Sequence, residues 1–340
     1  MKLRAWITAR LVTLARVYFT FLFGWVILHA LFGDLWWLFY LTSASEFMFA
    51  LLPGVAAIAL LTRRRELFVG VIAAMLLAAF LFGGLFVPKF IPHDSSEPTL
   101  SVMTYNTLGI HDHPEQVVAT IRAANADVVA IQELNPSASD AIRRELSGEY
   151  PYQILDPQEG VRGMGVISRY PLRATGETLP GDWVGAPQVL TLDWNGARIT
   201  LLHFHTFPTN SLYVPLIIWS ANERARQARA IADFAIAHPG ALIAPGDFNA
   251  TDQTAEYAVV TRELRDAWRE AGWGLGHTFP STSLNGNSLP ALSAIHQPLW
   301  LLRIDYIFHS RQLQAVSAQM GPWDGYSDHR SVIAKFKLAK

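Results

Sequence analysis

The chain has 340 residues, more than one compact domain ordinarily holds, with 51% hydrophobic residues, a formal net charge of -1 and no cysteine. The lack of cysteine excludes disulfides, thiol catalysis and cysteine metal sites. From residue 98 onward there are 19 Lys+Arg against 23 Asp+Glu, so this part shows no basic excess of the kind that binding to a nucleic-acid backbone draws on, and such a partner is disfavoured.

Composition changes once, near residue 90. Before it lie apolar runs at 11–32, 35–61 and 67–87, each long enough to cross a hydrocarbon core that needs about 20 helical residues. We read residues 1–90 as a transmembrane region with three helices, 91–98 as a linker and 99–340 as a globular domain. The first run exceeds the apolar core of a secretory signal and shows no small-residue cleavage site. Lys2, Arg4 and Arg10 precede the first run and Arg63, Arg64 and Arg65 separate the second from the third, whereas the opposite flanks carry Asp34 and Lys89. The positive-inside rule therefore predicts a cytoplasmic N-terminus and, after three crossings of the plasma (inner) membrane, an extracytoplasmic globular domain. Glu46, beside Ser43 and Ser45, needs a partner or a polar cavity within the second span.

In the globular part, 100–108 reads as a strand with Val102, Thr104 and Asn106 on one face and Met103 and Tyr105 on the other. A helix over 114–125 leads into a strand at 127–132 that ends in Gln132-Glu133. Next come an apolar segment at 165–168, a strand at 198–205, a helix at 222–237, and a strand at 241–244 entering Pro245-Gly246-Asp247-Phe248-Asn249. A short strand at 303–308 contains Asp305, and the chain then reaches Ser327-Asp328-His329-Arg330. Polar residues just past strand ends are where an α/β scaffold places its site. His111, His113, His296 and His309 read as loop or surface histidines.

Thr104-Tyr105-Asn106, Gln132-Glu133, Gly246-Asp247-Phe248-Asn249, Arg303-Ile304-Asp305-Tyr306-Ile307 and Ser327-Asp328-His329-Arg330, in that order, resemble the motifs of the endonuclease/exonuclease/phosphatase superfamily. The resemblance covers roughly 98–340. It implies a DNase I-like four-layer α/β sandwich, two packed mixed β-sheets flanked by helices, preceded here by three transmembrane helices. It also implies metal-dependent hydrolysis of phosphoester or phosphoanhydride bonds.

Such hydrolysis needs charge neutralisation on phosphate oxygens, an activated water and help for the leaving oxygen. Glu133 is a hard carboxylate suited to Mg²⁺, with Mn²⁺ as the alternative, and Asn106 and Asp328 are expected to complete the metal environment. His329 is the expected proton-transfer or phosphate-contacting imidazole, its ring held by Asp305. In family terms Asp247 resembles the residue that orients or deprotonates the attacking water, and Asn249 the one that contacts phosphate. His205, followed by Thr206-Phe207-Pro208, resembles the superfamily's other histidine. His203 lies on the same strand face as a competitor, and His205 is preferred because it is nearer the loop.

The layout resembles membrane-bound bacterial phosphatases linked to glycopeptide (teicoplanin) resistance, which implies a polyprenyl pyrophosphate substrate. Expected partners are thus the lipid bilayer and a lipid-linked phosphate, with a surface nuclease or sphingomyelinase-like phosphodiesterase and a non-catalytic membrane scaffold as alternatives. The apolar stretches 212–219 and 289–302 are expected to form connecting segments on a membrane-facing rim.

Overall fold

The computed structural model describes residues 2–34, 42–43, 45–91, 97–208, 213–280 and 300–339. The chain forms two compact units, the first comprising Met1–Val87 with Gln253–Ala255 and the second Pro88–Asp252 with Glu256–Lys340.

The first unit contains three helical stretches long and apolar enough to cross a membrane, Lys2–Phe32, Ser45–Thr62 and Arg65–Phe86. The first starts well before the expected apolar run, because helical backbone continues through the charged residues Lys2, Arg4 and Arg10. Its 31 residues span about 46 Å at a rise of about 1.5 Å per residue, more than the hydrocarbon alone requires. In the second, Leu51 separates helical pieces Ser45–Ala50 and Leu52–Thr62; the start of that expected span, 35–41, lies outside the described residues, as does 92–96 of the linker. Ala15, Leu22, Ala59, Leu67 and Ala74 are buried among these helices. Gly70 lets the third approach Phe19, since a Cβ there would meet that ring at 2.6 Å.

The second unit is built on two six-stranded mixed sheets. The first has the order β11(Leu313–Met320), β12(Val332–Leu338), β1(Leu100–Asn106), β2(Val128–Gln132), β4(Met164–Ser168), β3(Tyr152–Asp156). The second runs β5(Leu172–Ala174), β6(Gly185–Trp194), β7(Ala197–His205), β8(Leu242–Asp247), β10(Asp305–His309), β9(Arg265–Asp266). Pairs β1–β2 and β7–β8 are parallel, and the remaining neighbours are antiparallel. Every residue of β1, β2, β8 and β10 is buried, as expected of strands covered on both faces.

Alternation sorts the side chains. Met103 and Tyr105 join Ile121, Ile131, Ile142 and Leu146 in a core between the first sheet and helices Pro114–Ala124 and Pro136–Leu146. Phe204, Tyr306 and Phe308 form an aromatic cluster with Phe248 on one face of the second sheet. The other face of β7, β8 and β10 therefore carries His203, His205, Asp247 and Asp305.

Two expectations change. The helix expected from residue 222 spans Val214–Ala237, so residues 214–219 are its opening turns and not a connecting segment; Pro215 stands where a first turn has no use for an amide hydrogen. His309 is fully buried in β10, with Nε2 2.8 Å from Glu270 Oε2, so it is a core residue. His296 lies outside the described residues, as do Leu212 and 289–299 of the two rim stretches. The described end of the second stretch is tied down by a β-bridge from Leu302 to Phe279.

The glycine of Gly246-Asp247-Phe248-Asn249 has a steric cause. A Cβ at Gly246 would lie 2.2 Å from the Phe204 carbonyl oxygen on the neighbouring strand. Gly246→Ala is expected to cost about 1–3 kcal/mol in thermal unfolding of the full-length protein. Gly240→Ala, whose Cβ meets nothing within 4 Å, should stay within about 0.5 kcal/mol of the parent. Equal effects of the two substitutions would refute the close-approach explanation.

Candidate active site

Both sheets deliver polar residues to one cleft. On the second, strand register places His205 beside Asp247 and Asp247 beside Asp305, so three adjacent strands present three functional side chains in a line. On the first, β1 ends in Asn106, β2 is followed at once by Glu133, and the loop before β12 carries Asp328 and His329. Glu133, His205, Asp247, Asn249, Asp328 and His329 line a cleft of about 500 Å³ whose walls include Leu108, Ile110, Val161, Phe207 and Phe279.

Leu108, Glu133 and Asn249 adopt left-handed backbone conformations, with φ of 54°, 58° and 48°. Such a conformation costs a side-chain-bearing residue about 1–2 kcal/mol, and these three of the six such residues described border the cleft. Gly109 works with them: its amide donates to Glu133 Oε2 at 3.1 Å, and a Cβ would meet the Glu133 carbonyl oxygen at 2.3 Å. This residue escaped the sequence reading; its signal was the glycine three positions after Asn106.

The Asn106 amide joins the two halves. Its Nδ2 donates to Glu133 Oε1 and to Asp247 Oδ2, each at 3.1 Å, while Oδ1 accepts from Leu108 N at 3.0 Å. Asn106 thus faces the carboxylates with its nitrogen, the arrangement of a donor that positions them. His329 Nδ1 lies 2.9 Å from Asp305 Oδ2, and Ile304 and Asp305 amides both reach Thr278 Oγ1. Ser327 Oγ donates to the Asn106 carbonyl and accepts from His329 N, fixing the loop that carries Asp328. Asp247 Oδ1 accepts from Asn249 N at 2.9 Å, and Asn249 Nδ2 donates to the Thr206 carbonyl at 3.0 Å.

The two candidate histidines separate clearly. His205 Nε2 lies 3.5 Å from Asp247 Oδ2 in the cleft. His203 is buried between Gln132 Nε2 at 2.7 Å and Gln188 Oε1 at 3.1 Å, away from the cleft lining. Burial, and then the neighbouring His205, push the His203 pKa down to about 3, which suits a neutral ring donating from Nδ1 and accepting at Nε2.

Burial dominates the electrostatics. It raises Glu133 to about 7 despite the lowering influence of the Asn106 hydrogen bond, and it raises Asp328 and Asp247 as well. His205 is lowered to about 3 by burial and then by His329. Burial would also lower His329, but Asp305 and Asp247 hold its pKa well above the usual histidine range. Carboxylates in this condition gain either from a proton or from a cation.

A carboxylate/histidine group compact enough for a metal ion is present in Asp247, Asp305 and His329, whose ligand atoms lie within 4.8 Å of one another. Their closeness has another cause, however, since His329 Nδ1 is committed to Asp305. Glu133 and Asp328 offer a second donor set for a hard divalent ion: both line the cleft, both are raised by burial, and Asp328 Oδ1, like Asp305 Oδ1, is buried without a hydrogen-bond partner among the described residues.

Clustered acids, an amide and a carboxylate-held imidazole thus lie together at the ends of two packed sheets. The chain belongs to the Endonuclease/Exonuclease/phosphatase family, whose profile matches residues 103–329, and members of this superfamily are phosphoester hydrolases. Similar solved structures include D. rerio TDP2 complexed with single strand DNA product, with TM-score 0.55, 18% identity and coverage of 72% of this chain and 100% of that one. Truncated Caenorhabditis elegans TDP2 gives TM-score 0.55 and 18% identity, covering 71% and 98%. An endonuclease/exonuclease/phosphatase from Beutenbergia cavernae DSM 12333 gives 0.50 and 20%, covering 71% and 72%. At these identities the likeness concerns the fold. A search of curated protein sequences found no match.

Metal binding should carry a pH signature. The folded chain holds the Glu133 proton up to about 7 against an ordinary value of 4.5, so metal-free stability falls as pH rises through that interval. A divalent cation favours the ionised carboxylate and offsets this loss. The rise in melting temperature on adding Mg²⁺ is therefore expected to be small near pH ~5 and larger near pH ~8, with the pH dependence reduced in Glu133→Gln. A metal effect equal at both pH values would count against Glu133 as a ligand.

Proposed function

We propose that the chain is a membrane-anchored, metal-dependent phosphohydrolase whose catalytic unit faces the extracytoplasmic side and cleaves a phosphoester or pyrophosphate of a membrane lipid. The observation that carries this reading is the coexistence, in one chain, of a complete acid, amide and imidazole cleft with three membrane-length helices. Attachment raises the effective concentration of lipid-borne substrates over soluble ones. The arginine-rich turn at 63–65 supports the orientation.

In this reading Glu133 and Asp328 hold Mg²⁺ or Mn²⁺, which when bound neutralises charge on the phosphate oxygens. Asp247 orients the attacking water and takes up its proton, helped by its place 3.5 Å from His205 Nε2 and 3.7 Å from His329 Nε2. His329, fixed through Nδ1 by Asp305, turns Nε2 toward the phosphate and stabilises its developing charge as a cation. Asn249 retains a second amide hydrogen for a phosphate oxygen. The amide of Asn106 holds Glu133 and Asp247 in place.

The opening turns of the helix Val214–Ala237 favour a lipid. Tyr213, Val214, Leu216, Ile218 and Trp219 are all exposed, and the Trp219 ring packs 4.8 Å from Phe207, which lines the cleft. An apolar ridge continuous with the cleft wall suits an acyl or prenyl chain.

The test offers full-length protein in detergent with Mg²⁺ a polyprenyl pyrophosphate, a phospholipid panel and plasmid DNA. Phosphate release from a lipid is expected, falling by about 10²–10⁴-fold in Asp247→Ala and His329→Ala. Nicked DNA with no lipid turnover would establish a nuclease instead, and inertness toward everything a scaffold. Leu216→Asp is further expected to slow hydrolysis of vesicle-borne substrate several-fold more than that of a short-chain soluble analogue; a matching loss on both would remove the ridge from the account.

A further inference from the structure

The cleft is acid-rich, yet its described lining includes one basic side chain of the lysine or arginine type, Arg162. It is exposed and has no hydrogen-bond or ion-pair partner among the described residues. Its backbone is nevertheless held. Gln132 pairs with Met164 across the antiparallel β2–β4 ladder, and the ladder continues with Leu134 N donating to the Gly163 carbonyl at 3.0 Å. Gly163 permits this approach, because a Cβ there would lie 1.8 Å from the Leu134 carbonyl oxygen. Arg162 thus projects from a fixed point directly across from the segment that follows Glu133.

Arg162 and Val184 are shared with a second, adjoining groove of about 280 Å³, whose lining includes Gln158, Leu179 and Trp183. Asp182 also borders that groove, so Arg162 attracts an anion there while Asp182 repels it. A free guanidinium beside a phosphate-cleaving centre has the charge and fork geometry to bind a second phosphate. The scissile phosphate alone, held at the acid and imidazole floor, does not account for it.

We propose that Arg162 and the mouth of the adjoining groove form a subsite for the second phosphate of a diphosphate, and that the site discriminates diphosphates from monophosphates. This builds on the phosphohydrolase reading and narrows its substrate class. The terminal phosphorus sits at the cleft floor and takes the water oxygen. The bridging P–O bond breaks, the water proton passes to Asp247, and a monophosphate leaves with its new negative charge against Arg162. The products are inorganic phosphate and the shortened monophosphate, so no further reactant is needed.

The test uses the full chain in detergent with magnesium. Calorimetric titration with imidodiphosphate and with inorganic phosphate should show a preference for the former of about tenfold or more, lost in Arg162→Ala and partly retained in Arg162→Lys. In turnover, Arg162→Ala should raise KM for a prenyl diphosphate about tenfold more than for the matching prenyl monophosphate. A preference absent from the parent, or surviving in Arg162→Ala, overturns the subsite. A preference that behaves as expected while ADP is cleaved and the prenyl diphosphate is not leaves the subsite standing and overturns the lipid reading.

Discussion

The site depends on one amide. Two buried carboxylates, Glu133 from the first sheet and Asp247 from the second, are each satisfied by a hydrogen of the Asn106 side chain at 3.1 Å. Because Asn106 closes β1, its position is set by pairing with β2, and its oxygen is fixed by the Leu108 amide. Without that bridge, acids brought together by sheet packing would have to separate or to bind protons. The two sheets are thus joined at the cleft, and the strained backbone at Leu108 and Glu133 lies on either side of the joint.

Behind the cleft, a second polar link runs from Thr104 through Gln132 and His203 to Gln188. Every member is satisfied, so it holds the sheets in register without supplying a reactive group. His203 and His205 share a face and differ only in depth. The strand end places one of them on the cleft lining and leaves the other between two glutamines.

The strands and their faces were legible because burial on both sides leaves an apolar run and because motif residues fall at strand ends. Met103 and Tyr105 turn outward and Asn106 inward, as alternation required. What escaped was non-local. His309 looks like a loop residue until Glu270, 39 positions earlier, is brought to 2.8 Å from its ring. The opening of the helix Val214–Ala237 was hidden because its apolar residues are exposed and break the amphipathic pattern, leaving Pro215 as the signal. Arg162 stands in a glycine-flanked loop, and only the β2–β4 register reveals that it lies across from the Glu133 turn.

In the proposed reading the sheets divide the labour: acids at the ends of the first would hold the cation, while groups from the second, with His329, would handle water and phosphate. The compact group of Asp247, Asp305 and His329 offers the competing location. Anomalous diffraction from crystals of the protein soaked in Mn²⁺ distinguishes the two. The account predicts a peak bound by Glu133 and Asp328, and a peak lodged between Asp247 and Asp305 would contradict it.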